Sequence, residues 1–138
     1  MLKIWGRGNS VNVKKVLWAV EELGVKHERI NAGMEHGVVK TPEYRKMNPN
    51  SLVPTIDDDG FVLWESHAIL KYLAGKKPER GLAPSDPKQA ALVDQWLFWW
   101  SAGVETALNL LLVERMIKPF MGKPGKDAMF SPNPGQGD

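Results

Sequence analysis

The sequence predicts an α/β fold in the order β-α-β-α-β-β-α, and three observations carry that prediction. Residues 12–24 (NVKKVLWAVEELG) place Val13, Val16, Leu17, Val20 and Leu23 at helical spacing. VPTI and FVLW are two strand-like runs joined by DDDG, a hairpin turn of the Asp-Gly type. From Ser66 the helical pattern returns, with Ala68, Ile69, Tyr72 and Leu73 on one face.

The remaining elements follow in order. LKIW (2–5) is a short strand. GRGNS is a loop that leads into the first helix, with Asn12 expected as its N-cap and Gly24 as its stop. HERI (27–30) reads as a second strand, and residues 31–41 as a glycine-containing loop. TPEYRKM (41–47) is expected to be a short helix, capped by Thr41 with Pro42 at its first position. The third helix takes Ser66 as its N-cap. Strand, helix, strand at the start demands a right-handed crossover, while the last two strands pair as an antiparallel hairpin.

The expected organisation is residues 1–75 as this α/β domain, 76–86 as a Pro/Gly-rich linker, 87–117 as one long helix, and 118–138 as a tail. Asp86 is the expected cap of the long helix. Its apolar residues cover more than one face, which suits burial on several sides or sharing between subunits. The tail holds four prolines and four glycines in 21 residues, a composition expected to be disordered or loosely attached.

Composition narrows the function. A net charge of +2 with no block of like charge gives no field for nucleic acid or an anionic membrane. No uninterrupted apolar run reaches about 18 residues, so no membrane span is expected. MLKIWGRGNS has no apolar signal region, and the cytoplasm is the expected compartment. The absence of cysteine excludes disulfide exchange and thiolate metal ligands. His27, His36 and His67 lack ligand spacing, so no metal is expected.

Three short stretches carry candidate chemistry. Val53-Pro54 opens a strand: a trans proline there starts an edge strand, whereas a cis proline would turn the Val53 N–H and C=O outward to pair with an extended peptide. Glu65-Ser66 stands at a helix N-terminus, where free N–H groups and a hydroxyl favour a carboxylate and the glutamate favours an ammonium. That combination suits an α-amino-acid head group, against the simpler reading of a serine cap beside an exposed glutamate. Ser10-Val11-Asn12 offers donors at a helix start that can stabilise a thiolate, against plain capping. Lys14 and Lys15 in that first turn oppose the helix dipole and favour a nearby anion.

The joint order of these segments resembles the glutathione transferase family. Asn48-Pro49-Asn50-Ser51-Leu52-Val53-Pro54-Thr55-Ile56 is similar to its N-P-x-G-K-V-P-x-L pattern, and Glu65-Ser66-His67-Ala68-Ile69-Leu70-Lys71-Tyr72-Leu73 to its E-S-x-A-I-x-x-Y-L pattern. The resemblance runs to about residue 117 and is strong over 1–74. It implies a thioredoxin-like N-terminal domain followed by the start of an all-α C-terminal domain, shortened here to its first long helix and the tail. It also implies a cis Pro54 presenting Val53 to the cysteinyl part of glutathione, with Glu65 and Ser66 on the γ-glutamyl end. Ser10 looks like the catalytic serine of theta-like and bacterial serine-type members, donating to the glutathione sulfur, with Asn12 as a second donor. Lys40 falls where relatives place a group near the glycine carboxylate, and His36 is its nearest alternative. Leu52 stands where many members carry a basic or amide side chain for that carboxylate, and Ser51 replaces the usual glycine.

The implied function is conjugation of the glutathione thiolate to a hydrophobic electrophile, with glutathione as co-substrate, no metal, and a homodimer sharing the helix around Trp96, Phe98, Trp99 and Leu108 to Leu112. The alternative is a glutathione-binding module or dimerisation scaffold with little transferase activity.

Overall fold

The computed structural model describes residues 1–123. These divide into two compact units, one from Met1 to Pro87 and one from Lys88 onward.

The first unit realises the predicted order. Strands β1 (Leu2–Trp5), β2 (His27–Ile30), β3 (Thr55–Asp58) and β4 (Phe61–Trp64) form one mixed sheet in the order β2-β1-β3-β4. β1 runs parallel to β2, with Leu2 opposite His27, and antiparallel to β3, with Ile4 opposite Ile56. Helices α1 (Val11–Leu23), α2 (Pro42–Met47) and α3 (Ser66–Lys76) complete the domain. The hairpin turn is tighter than the DDDG run suggested: β3 continues through Asp57 and Asp58, leaving Asp59-Gly60 at the corner.

Period decides what is buried. Leu2 and Ile4 alternate with exposed Lys3, so one face of β1 meets the core. Val16, Val20 and Leu23 of α1, Ile69 and Leu73 of α3, and Ile56 of β3 join them in a single cluster, all at most a few per cent exposed. Each such side chain contributes roughly 1.5–3 kcal/mol of burial. A hydrogen bond between Lys15 Nζ and His67 Nε2 (3.0 Å) ties α1 to α3 at the edge of this cluster.

The helix ends correct two expectations. Asn12 is not the cap of α1: the helix begins at Val11, and Ser10 is the cap residue, its carbonyl accepting from Lys14 N at 2.9 Å. Asn12 therefore sits inside the first turn. Ser66 is likewise the first helical residue of α3 rather than its cap. Glu65 takes that place, and its Oε1 accepts from His67 N at 3.3 Å. Two other signals behave as read. Gly24 ends α1 at φ 64, a left-handed conformation that costs glycine little, and Thr41 caps α2 by accepting from Tyr44 N.

In the second unit a continuous helix, α4, spans Pro87–Phe120 over 34 residues and includes two π-type turns, Trp100–Val104 and Val113–Ile117. By length and composition α4 could cross a membrane. This revises the expectation drawn from the lack of an unbroken apolar run, because isolated polar residues leave the average apolar. Such a composition equally marks a helix packed among others in a soluble protein. Leu92, Trp96, Phe98, Trp99, Met116 and Phe120 are exposed on it, and Trp96 stacks edge-on with Trp99 at 5.6 Å. The helix runs three residues past the expected end. The tail expectation for 124–138 lies outside the described residues.

Candidate active site

The site residues come from three junctions of the first unit: the β1–α1 loop, the segment before β3, and the β4–α3 corner.

Ser10 closes the first junction. It is almost fully buried, yet its side chain makes no capping bond to its own helix. A serine at an N-cap ordinarily spends its oxygen on the N–H groups of the first turn. Here the hydroxyl is left for another partner. Within the same first turn, Asn12 buries its Oδ1 without a hydrogen-bond partner, so its amide is not consumed by capping either.

Val53-Pro54 is a cis peptide, resolving the alternative that proline left open in the sequence. Val53 is half-buried, and its backbone groups are absent from the bonds that close the neighbouring turns and caps. The segment is held from below by a network that sequence reasoning missed. Tyr44 OH donates to Leu52 O at 2.7 Å and lies 2.8 Å from Thr55 Oγ1. Asn48 Nδ2 donates to Leu52 O and to Thr55 Oγ1, both at 3.0 Å. Tyr44, Asn48 and Thr55 are all buried. Burial is the main reason the Tyr44 phenol titrates above its ordinary value, with its bonds to Thr55 and Asn48 acting the other way, so it stays a donor at neutral pH. The signal in the sequence was one aromatic residue in a short helix, PEYRKM.

Leu52 itself points its side chain to solvent, and its contribution to the frame is the doubly bonded carbonyl. Ser51, where the family pattern has glycine, holds φ 56, a left-handed conformation unusual for a residue with a side chain.

At the third junction Glu65 adopts φ 77, ψ 111, outside the regions a glutamate ordinarily occupies. That backbone turn sets the start of α3, with Ser66 as its first helical residue. Ser66 is buried, and its hydroxyl makes no hydrogen bond among the described residues.

Lys40 and His36 make no hydrogen bond to the Tyr44, Asn48 and Thr55 frame. Both are exposed in the loop after β2, and His36 Nε2 lies 3.3 Å from Glu35 Oε1. Among the described residues no three histidine, aspartate or glutamate side chains gather as a metal cluster.

Comparison with known proteins shows the family and the fold. The family model described as the glutathione S-transferase N-terminal domain matches residues 1–75. Glutathione S-transferase GstB of Escherichia coli is 44% identical over 115 residues, covering 82% of this chain and 55% of that protein. A probable glutathione S-transferase of Oryza sativa subsp. japonica, GSTF2, is 34% identical over 133 residues, covering 96% of this chain and 62% of its own. The crystal structure of the theta class glutathione S-transferase of Xanthomonas axonopodis pv. citri, with glutathione bound, superposes with a TM-score of 0.82 at 40% identity, over 88% of this chain and 58% of that one. The chain thus spans a little over half the length of the relatives it matches. The four-stranded mixed sheet with its flanking helices is the thioredoxin-like N-terminal domain of these proteins. On this match the chain belongs to the glutathione S-transferase family.

Proposed function

We propose that this chain is a glutathione transferase that conjugates the glutathione thiolate to a hydrophobic electrophile. The observation that carries the reading is the pair of buried serine hydroxyls, Ser10 and Ser66, each at a helix N-terminus and each uncommitted to its own helix. Ser66, the first N–H groups of α3 and the Glu65 carboxylate match the carboxylate and ammonium of a γ-glutamyl end. Val53 would pair with the cysteinyl backbone. Ser10 would donate to the sulfur, with Asn12 beside it in the same turn. Lys40 is the candidate for the glycine carboxylate, with His36 the alternative.

The chemistry needs little more than this. A thiol is a poor nucleophile until it ionises. A hydroxyl donor and the positive end of α1 favour the anion, each unit of lowered pKa being worth about 1.4 kcal/mol. The sulfur then bonds to the electrophilic carbon, the leaving group departs with its electron pair, and the thiol proton passes to solvent. Assembly as a homodimer, a cytoplasmic location and a detoxifying role belong to the same reading. A second reading, a glutathione-binding module without turnover, draws on the exposure of Trp96, Phe98 and Trp99, which could equally be a surface for association.

The test is calorimetric titration with glutathione, light scattering for mass, and conjugation of 1-chloro-2,4-dinitrobenzene. Saturable binding with turnover supports the transferase. Binding without turnover selects the second reading, and no binding at millimolar glutathione rejects both.

A further inference from the structure

Arg7 is a cation without a use in the fold. It lies in the β1–α1 loop, three residues before Ser10, and is half-buried. Its guanidinium rests against Gly33. A side chain at Gly33 would put its first carbon 3.2 Å from Arg7 Nη1 and 3.6 Å from both methyl groups of Val53. The position is therefore a narrow gap between the guanidinium and the residue of the cis peptide, and Gly33 (φ 90) keeps it open.

The neighbouring arginine shows the contrast. Arg29 Nη1 donates to Gly6 O at 3.2 Å and to Asn31 Oδ1 at 2.8 Å, so it is spent on bracing the same loop. The Arg7 side chain makes no hydrogen bond or ion pair among the described residues. Glu35, an acid of the following loop, is engaged by His36. A half-buried guanidinium has five N–H donors to satisfy and binds carboxylates in a two-pronged geometry.

We propose that Arg7 binds a second carboxylate in this site, distinct from the one at Ser66, beside Gly33 and Val53, and that where this group is the glycine end of glutathione Arg7 takes it in preference to the exposed Lys40 and His36. This rests on the glutathione-binding reading above. Two sources offer that group: the glycine end of glutathione, for which Leu52 supplies no charge, and an acid on the electrophile. A site with Arg7 in this role accepts anionic ligands, not only neutral apolar ones.

The experiment titrates glutathione and its glycine ethyl ester into the wild type, Arg7→Gln and Arg7→Lys, and measures the ratio of kcat/KM for 4-chloro-3-nitrobenzoate over 1-chloro-2,4-dinitrobenzene. If glutathione supplies the carboxylate, Arg7→Gln weakens glutathione about tenfold to a hundredfold, removes the wild type's preference for the acid over the ester, and Arg7→Lys recovers part of both. If the electrophile supplies it, glutathione affinity holds while the ratio of acidic to neutral electrophile falls about tenfold or more. Unchanged affinity together with an unchanged ratio overturns the inference and leaves the transferase reading standing. Failure of the wild type to bind glutathione removes both.

Discussion

Tyr44 reaches from α2 to donate its hydroxyl hydrogen to the carbonyl of Leu52, 2.7 Å away, and so fixes the backbone directly before Val53-Pro54. The segment before the cis peptide thereby gains a support of buried side chains, Tyr44, Asn48 and Thr55. Tyr44→Phe keeps the ring and removes both contacts of the hydroxyl. It should cost about 1–3 kcal/mol in urea denaturation, because Asn48 still serves Leu52 O and Thr55 Oγ1. Glutathione affinity should fall as well, by a smaller factor. A variant with wild-type stability would mean that Asn48 alone holds the segment.

Ser10 is expected to act on rate rather than on binding. Its hydroxyl is buried, uncommitted, and at the positive end of α1. Ser10→Ala should lower turnover at pH 6.5 by a factor of about ten to a thousand, one to a few hydrogen bonds' worth of energy. The dissociation constant of glutathione should hardly move. The thiolate absorbance near 240 nm of bound glutathione, followed against pH, gives the direct readout: its midpoint should rise in the variant. A midpoint and rate equal to the wild type would take Ser10 out of the mechanism.

Ser66 makes the complementary prediction. On the proposed docking its hydroxyl donates to the γ-glutamyl carboxylate, so Ser66→Ala should weaken glutathione by roughly 1–3 kcal/mol. With saturating glutathione the rate should recover most of its wild-type value. An unaltered dissociation constant would rule out γ-glutamyl docking at the N-terminus of α3.

The order of the elements was legible because apolar periods of 3.6 and 2 survive in short segments, as Val13, Val16, Val20 and Leu23 illustrate. The cis Pro54 came from the family resemblance, because a proline before a strand by itself leaves cis and trans both open. The two caps were misread by one or two positions. Ser10 and Asn12 are both cap-forming residues, and only the path of the incoming chain decides between them. Tyr44, Asn48 and Thr55 gave no periodic signal, since a buried polar network is assembled by tertiary contacts across eleven residues. Arg7 carries no signal in the sequence, because its neighbours Gly33 and Val53 are brought to it only by the fold.

A cluster joining the last residue of β3 to α3 predicts how stability depends on pH. Asp58 accepts from Lys76 Nζ and, at 2.7 Å, from Tyr72 OH. Lys76 first, then Tyr72, hold its carboxyl below the ordinary 3.8, against desolvation. Asp58 in turn raises Tyr72 and Lys76 above their ordinary 10.0 and 10.5. A carboxyl with a depressed folded-state value stabilises the fold above 3.8 and loses that contribution as pH falls through the depressed value. The two raised groups contribute below about 10 and lose it as pH climbs through their folded values. Because Lys76 is nearly half exposed, the ion pair itself is worth no more than about 1 kcal/mol. Asp58→Asn should flatten the acid limb of a stability profile and lower the plateau near pH 7. An acid limb identical to the wild type would assign it to other carboxylates.

Gly6 tests how tightly the loop carrying Ser10 is packed. A methyl group there would lie 2.3 Å from Val13 Cγ2 and 3.0 Å from Cγ1. Val13 is fully buried, and a β-branched side chain in a helix has one strongly preferred rotamer, so it cannot swing aside. The loop must move instead, and Ser10 lies between the two residues in the chain. Gly6→Ala should therefore destabilise the protein by about 1–3 kcal/mol and, if Ser10 serves the glutathione sulfur as proposed, lower turnover more than glutathione affinity, because the Ser10 hydroxyl is displaced. Val13→Ala alone opens a cavity and is destabilising for a different reason. The double substitution Gly6→Ala/Val13→Ala seats the new methyl in the space the valine leaves, so it should cost less than the sum of the two and restore part of the turnover. Additive costs in that cycle would show that the two residues do not share the space, and a Gly6→Ala protein as stable as the wild type would show that the loop is free to shift.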